Sequence, residues 1–175
     1  IRSKGAGRAG SPRWLDGGGL YRRAAIEQVA YLCNRNLPAF EEAELGLRLT
    51  GAGWALRRLD MPAVKHTGHD DHTFGLLVRH WRSGYAMAGG ILLRSAVGTA
   101  YFLHAVLLVK HPLAVIVWWA LFAAALAATD FSLMPVSMLL AAMGGVFIAL
   151  LVQKRSFSDA VFSLFHWHYS ALALL

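Results

Sequence analysis

The sequence has 175 residues, 57% of them hydrophobic and 15% charged, with a formal charge of +7 and a single cysteine, which excludes a disordered chain and a disulfide scaffold. The charge is uneven: residues 1–94 carry a net +6, and residues 95–175 carry a net +1 across long runs of Ala, Leu, Val and Phe. The second half therefore reads as membrane, and an ordinary soluble domain is excluded as well.

The chain opens on Ile1 and a Gly- and Arg-rich stretch without an apolar core, so no signal peptide is visible and an excerpt from a longer polypeptide is expected. Gly17, Gly18 and Gly19 precede a stretch, Leu20 to Tyr31, with apolar residues at helical spacing. Glycines there either let backbone approach a ligand closely or simply form a loop ahead of the helix. Arg22 and Arg23 fall in the first helical turn, where the helix dipole disfavours cations, and this points to an anionic partner. Cys33 is expected to be a small buried hydrophobe in a reducing compartment.

Next, Phe40 to Leu49 reads as a helix opened by Glu41, Glu42 and Glu44, acids in the turn where the dipole favours them, and closed by Gly51 and Gly53. Leu45 and Leu49 share one face, and Arg48 stands four residues from Glu44, the spacing of an intrahelical ion pair. Trp54 to Leu59 alternates as a strand does. A loop from Lys65 to His72 follows, with three His and two Asp within eight residues, a density compatible with a divalent metal or a diphosphate. Phe74 to Arg94 reads as one helix carrying Arg79, Trp81, Arg82 and Tyr85.

Residues 95–109 are apolar but short and predict an interfacial or re-entrant helix. Residues 112–128 and 131–152 are uncharged runs long enough to cross hydrocarbon about 30 Å thick at about 1.5 Å per residue, joined by a tight hairpin at Thr129 and Asp130. Residues 157–165 look amphipathic, and residues 166–175 read as the start of a third span. Gly144 and Gly145 suggest close helix packing. Lys110 and His111 before the first span, and Lys154 and Arg155 after the second, place both outer ends and the basic first half in the cytoplasm.

The glycine run with Leu20-Tyr21-Arg22-Arg23, the stretch from Asn36 through Glu41-Glu42-Ala43-Glu44-Leu45 to Leu49, and the Gly51-Ala52-Gly53-Trp54 turn together resemble the second half of family 2 glycosyltransferases. That family writes the central motif as Glu-Asp-x-Asp-Leu-x-x-Arg-Leu; here glutamates replace both aspartates. The resemblance implies an α/β domain, the C-terminal part of an inverting GT-A enzyme, over residues 1–94, followed by an all-α membrane region over 95–175. It also implies a nucleotide-sugar donor, a divalent metal (Mg²⁺ or Mn²⁺), Glu42 as the base that deprotonates the acceptor hydroxyl, and Glu41 as the second candidate. Gly17, Gly18, Gly19, Arg22 and Arg23 fall to substrate binding and His66 to the metal. Trp81, with Arg82, either stacks on an acceptor sugar or anchors an amphipathic helix at anionic headgroups. The Gln-x-x-Arg-Trp of processive members is not matched, since Leu77 and His80 stand in its Gln and Arg places.

The expected protein is a multi-pass glycosyltransferase of the plasma (inner) membrane that serves a lipid-linked or envelope glycan acceptor, with membrane lipid but no nucleic acid as a partner. No strand-rich segment precedes Gly17, so this chain alone is expected to lack donor binding and activity. The rival expectation is a non-enzymatic membrane protein whose basic segment binds anionic lipid or a partner. A metal carrier using His66, His69 and His72, with His166 and His168 as further candidates, is disfavoured because both predicted spans are almost purely apolar.

Overall fold

The computed structural model describes residues 2–4, 10–12, 14–15, 19–60, 64–66, 73–128 and 133–175. The elements run β1 (Arg2–Lys4), α1 (Arg23–Gln28), α2 (Glu41–Gly51), β2 (Val64–His66), α3 (Thr73–Arg82), a 3-10 turn (Tyr85–Met87), α4 (Ala88–Ala96), α5 (Phe102–Leu108), α6 (Lys110–Ala128), α7 (Leu133–Lys154) and α8 (Phe157–Leu172). They divide into two compact units, Ile1–Leu108 and Val109–Leu175.

The first unit is built around α2. Leu45 and Leu49, four residues apart, pack with Ala25 and Leu56, while Leu47 points the other way into a cluster of Leu37, Leu92, Ala96 and Ala105. Two apolar layers thus enclose one helix, and each leucine fully withdrawn from water contributes about 1.5–3 kcal/mol. At its C-terminal end Gly53 adopts φ +88°, and the Gly53 and Trp54 amides bond back to Thr50 and Leu49 carbonyls at 3.0 and 2.9 Å, the left-handed stop that glycine permits. Gly46 has a different reason. A Cβ there would lie 2.7 Å from the Leu15 backbone nitrogen and 3.2 Å from the Trp14 Cα. Alanine would add about 1 kcal/mol of helix propensity, but the clash is with backbone, which cannot step aside. Gly46→Ala is therefore expected to lower stability by about 1–3 kcal/mol net, read as a shift of the denaturant midpoint.

The α/β expectation for residues 1–94 is overturned, because the unit is mostly helical. Among the described residues its β structure is a two-stranded antiparallel ladder of three residues per strand, β1 to β2, plus one bridge between Gly10 and Arg58. A ladder so small cannot supply a buried face, and helices α2, α4 and α5 occupy the core that a sheet would fill. The expected strand from Trp54 to Leu59 exchanges backbone bonds with Gly10 only at Arg58. Its alternation places Leu56 in the core while Leu59 stays exposed, which an extended loop satisfies equally well.

The expected helix from Phe74 to Arg94 is also interrupted: Gly84, at φ +74°, ends α3 and turns the chain into the 3-10 turn and α4. Gly98, at φ +78°, separates α4 from α5. Cys33 is exposed, contrary to expectation.

In the second unit, α6 and α7 are long and apolar enough to cross a membrane. Within the protein 6% of each span is buried, and Val117, Leu121, Met138 and Ile148 among others face outward. Pro112 and Pro135 sit in the first turns of their helices, where the missing amide breaks no helical bond. The Trp118 indole donates to the Leu139 carbonyl at 3.3 Å, which gives its N–H a partner within an apolar stretch of α6. Residues 157–172 form one helix, α8, packed on both α6 and α7, where an amphipathic segment and the beginning of a third span were expected separately. Ser156 caps it by accepting from the Asp159 amide at 3.3 Å. A Cβ at Gly144 or Gly145 would meet nothing within 4 Å, so these glycines are not sites of close packing here.

Candidate active site at the start of α2

The three acids of α2 divide into two kinds. Glu44 is fully buried and held on both oxygens by Arg48, Nε to Oε1 at 2.7 Å and Nη2 to Oε2 at 2.9 Å, and its Oε1 also accepts the Tyr31 hydroxyl at 3.0 Å. The remaining guanidinium donor, Nη1, reaches the Val29 and Tyr31 carbonyls at 2.8 and 2.7 Å, and the guanidinium lies 3.7 Å over the Tyr31 ring. This network ties the end of α1 to the middle of α2. Burial first, then the Glu44 charge and its hydrogen bond, raise the Tyr31 phenol above its ordinary value; burial and Glu44 do the same to Tyr101. Both phenols therefore stay protonated, and Tyr31 serves Glu44 as a donor. Glu44 is structural, and the intrahelical pair with Arg48 is present as the spacing predicted.

Glu41 and Glu42 are half-buried rather than buried, in the first turn of α2, and make no ion pair among the described residues. The helix dipole favours anions at that end, and the carboxylates remain open to a ligand. The turn begins at Phe40, which caps α2 at φ 64°, ψ 10°. A bulky residue in the left-handed region is strained, a cost of order 1–3 kcal/mol that persists only where the surroundings impose it. Ala39 is buried beside it, and the Glu44 amide closes the first helical bond on the Phe40 carbonyl at 2.8 Å.

Tyr21 borders the same place. Burial, and after it the Glu42 carboxylate, raise its phenol above the ordinary value, so it stands near Glu42 as a neutral hydroxyl. Its ring packs against the cluster of Ala25, Leu45, Leu49 and Leu56, while its neighbours Leu20 and Arg22 are exposed. The Trp54 indole donates to the Gln28 side chain at 2.8 Å and fastens α1 from its other side.

The remaining expected residues distribute as follows. Arg22 is the exposed N-cap of α1. Arg23 is exposed and pairs with Glu27 on the same helix at 2.6 Å, so its charge already has an intrahelical partner. Gly17, Gly18 and the loop 67–72 lie outside the described residues. The backbone of His66 is in β2, opposite Arg2. Trp81 and Arg82 are exposed on α3, which among the described residues contacts the 3-10 turn after it. Among the described residues no three His, Cys, Asp or Glu side chains converge to hold a metal.

Phe40, Tyr31 and Tyr21 are the contributors that sequence reasoning missed. No local signal marks a phenylalanine for the left-handed region, and the two tyrosines matter through contacts across α1 and α2. No protein-family model, curated protein or solved structure matches the chain.

Proposed function

We propose that this chain serves a membrane-anchored, inverting glycosyltransferase, moving a sugar from a nucleotide-sugar donor to a lipid-linked or envelope glycan acceptor. The observation that carries the reading is the division of labour on α2: Glu44 is sequestered by Arg48 and Tyr31, while Glu41 and Glu42 are left accessible beside Tyr21 at a strained helix start. In the proposed reaction Glu42 accepts the proton of the acceptor hydroxyl as its oxygen attacks the anomeric carbon. The nucleoside diphosphate leaves from the opposite face, and the configuration inverts. Glu41 is the alternative base. Gly17 to Gly19, Arg22 and Arg23 are assigned to the donor side, and Trp81 and Arg82 to the acceptor. Mg²⁺ or Mn²⁺ would neutralise the departing diphosphate, with His66 the residue assigned to it; no described cluster supplies its ligands, and no step above depends on it. The test is transfer of labelled sugar by the full-length protein in vesicles, with Glu42 present or replaced.

The proposed site of action is the plasma (inner) membrane, crossed by α6 and α7, with the first unit cytoplasmic. Lys110 opens α6, and Lys154 and Arg155 end α7, so positive charge marks both outer ends of the pair. With Cys33 replaced, Gln153→Cys is expected to react with an impermeant thiol reagent only from the cytoplasmic side and Asp130→Cys only from the other. Reaction of both from one side would contradict the hairpin.

The rival reading, a non-enzymatic membrane protein whose basic segment binds anionic lipid, draws on the exposed face of α3. It leaves the accessible pair Glu41 and Glu42 without a role.

A further inference from the structure

Within the second unit, α6, α7 and α8 do not close completely on one another. They leave a groove of about 190 Å³ whose walls include His111, Ala114 and Trp118 of α6, Ala142 and Val146 of α7, and Trp167 of α8. Ala114 and Ala142 are exposed and too small to fill the space, so the groove opens on the outside of the helices. Its aromatic walls are held in place: the Trp167 ring stacks on His111 with centroids 4.5 Å and planes 9° apart, and the Trp118 indole donates to the Leu139 carbonyl. Among the described residues that line it, only His111 can carry a charge. We infer that this groove holds one acyl chain of an anionic phospholipid, with the lipid phosphate beside Lys110.

Size, surroundings and charge select that occupant. One turn of α-helix, about 10 Å across and about 5.4 Å tall, needs roughly 400 Å³, so the groove is too small for a partner helix and suits a slender hydrocarbon chain. Helices α6 and α7 are long and apolar enough to cross a bilayer, which sets hydrocarbon rather than water against the opening. Apolar cavities of about 150 Å³ stay dry and take up apolar guests, and an unfilled one forfeits the dispersion contacts of its walls. His111, at one end of the groove, follows Lys110, an exposed cation in the first turn of α6, where the helix dipole also favours an anion. The acids of residues 109–175 are Asp130, beyond the other end of α6, and Asp159, in the first turn of α8. Positive charge therefore marks the His111 end, complementary to a phosphate. The inference rests on the second unit alone and does not depend on Glu42 transferring a sugar.

The test uses the full-length protein in phosphatidylcholine vesicles with a trace of phosphatidylglycerol that carries a diazirine on one acyl chain. After irradiation the labelled residues are mapped by mass spectrometry. Label is expected to concentrate on residues 111–118 and 164–167, well above Leu121 and Ile148, which are 54% and 60% exposed but do not line the groove. Unlabelled phosphatidylglycerol should displace the concentrated label, and the same amount of added phosphatidylcholine should not. Lys110→Gln should weaken the hold on phosphatidylglycerol about fivefold. Ala142→Phe fills the groove from an exposed position and should remove the concentrated label, while continued labelling of Leu121 and Ile148 reports a protein still folded in the bilayer. Label that follows exposure alone, or that Ala142→Phe leaves unchanged, would overturn the inference. So would absence of label from the groove while Leu121 and Ile148 are labelled, which would mean that a protein surface covers it.

Discussion

Glu42→Gln in the full-length protein is expected to lower sugar transfer by about 10² to 10⁴, the usual worth of a positioned general base. The amide keeps the shape of the carboxylate and cannot accept the hydroxyl proton. Because the side chain is partly exposed and makes no ion pair among the described residues, its replacement should leave the fold and nucleotide-sugar binding close to normal. Glu41→Gln, one residue earlier on the same turn, should have a much smaller effect. If the two effects are exchanged, the base is Glu41; if neither variant slows transfer, α2 holds no base.

Replacing Arg48 should produce the opposite pattern, a loss of stability from which any loss of activity follows. Its side chain is 9% exposed and that of Glu44 1%, so Arg48→Ala strands a buried charge that keeps, among the described residues, only the Tyr31 hydroxyl for a partner. Breaking a buried pair from one side typically costs about 3–5 kcal/mol, and here the Val29 and Tyr31 carbonyls lose their donor as well. Tyr31→Phe removes one hydrogen bond and should cost about 1 kcal/mol. The double variant Glu44→Gln with Arg48→Met leaves no charge behind and should recover a good part of the loss. Denaturant titration of the three variants beside the parent measures this directly. An Arg48→Ala protein as stable as the parent would show that the network does not hold α1 to α2.

The helices were legible where the signal is local. The uncharged runs from Pro112 and from Phe131 predicted α6 and α7 to within two residues at each end, because length and apolarity alone decide such segments. The first-turn acids and Gly53 likewise announced α2 and its stop, and the spacing of Glu44 and Arg48 announced their pair. Errors arose where tertiary partners decide. Alternation from Trp54 to Leu59 suggested a strand, but a strand needs a neighbour along its length, and among the described residues only Gly10 pairs there. Apolar continuity from Phe74 to Arg94 suggested one helix, whereas Gly84 takes up a left-handed turn that a glycine inside a helical pattern permits but does not compel. At the candidate site, the acids could be read as a group from the sequence. Which of them is buried could not, since that depends on Tyr31 arriving from α1.

The reading that this chain serves glycosyl transfer is tested most directly by following a radiolabelled sugar. Full-length protein in vesicles with Mg²⁺ or Mn²⁺ is offered a set of nucleotide sugars, and label is counted in the lipid and glycan fractions beside the Glu42→Gln variant. Glycosyl transfer as proposed predicts label in one of those fractions, at an anomeric centre inverted relative to the donor, and its near disappearance in the variant. Absence of label from every donor, or label that Glu42→Gln leaves unchanged, would contradict it.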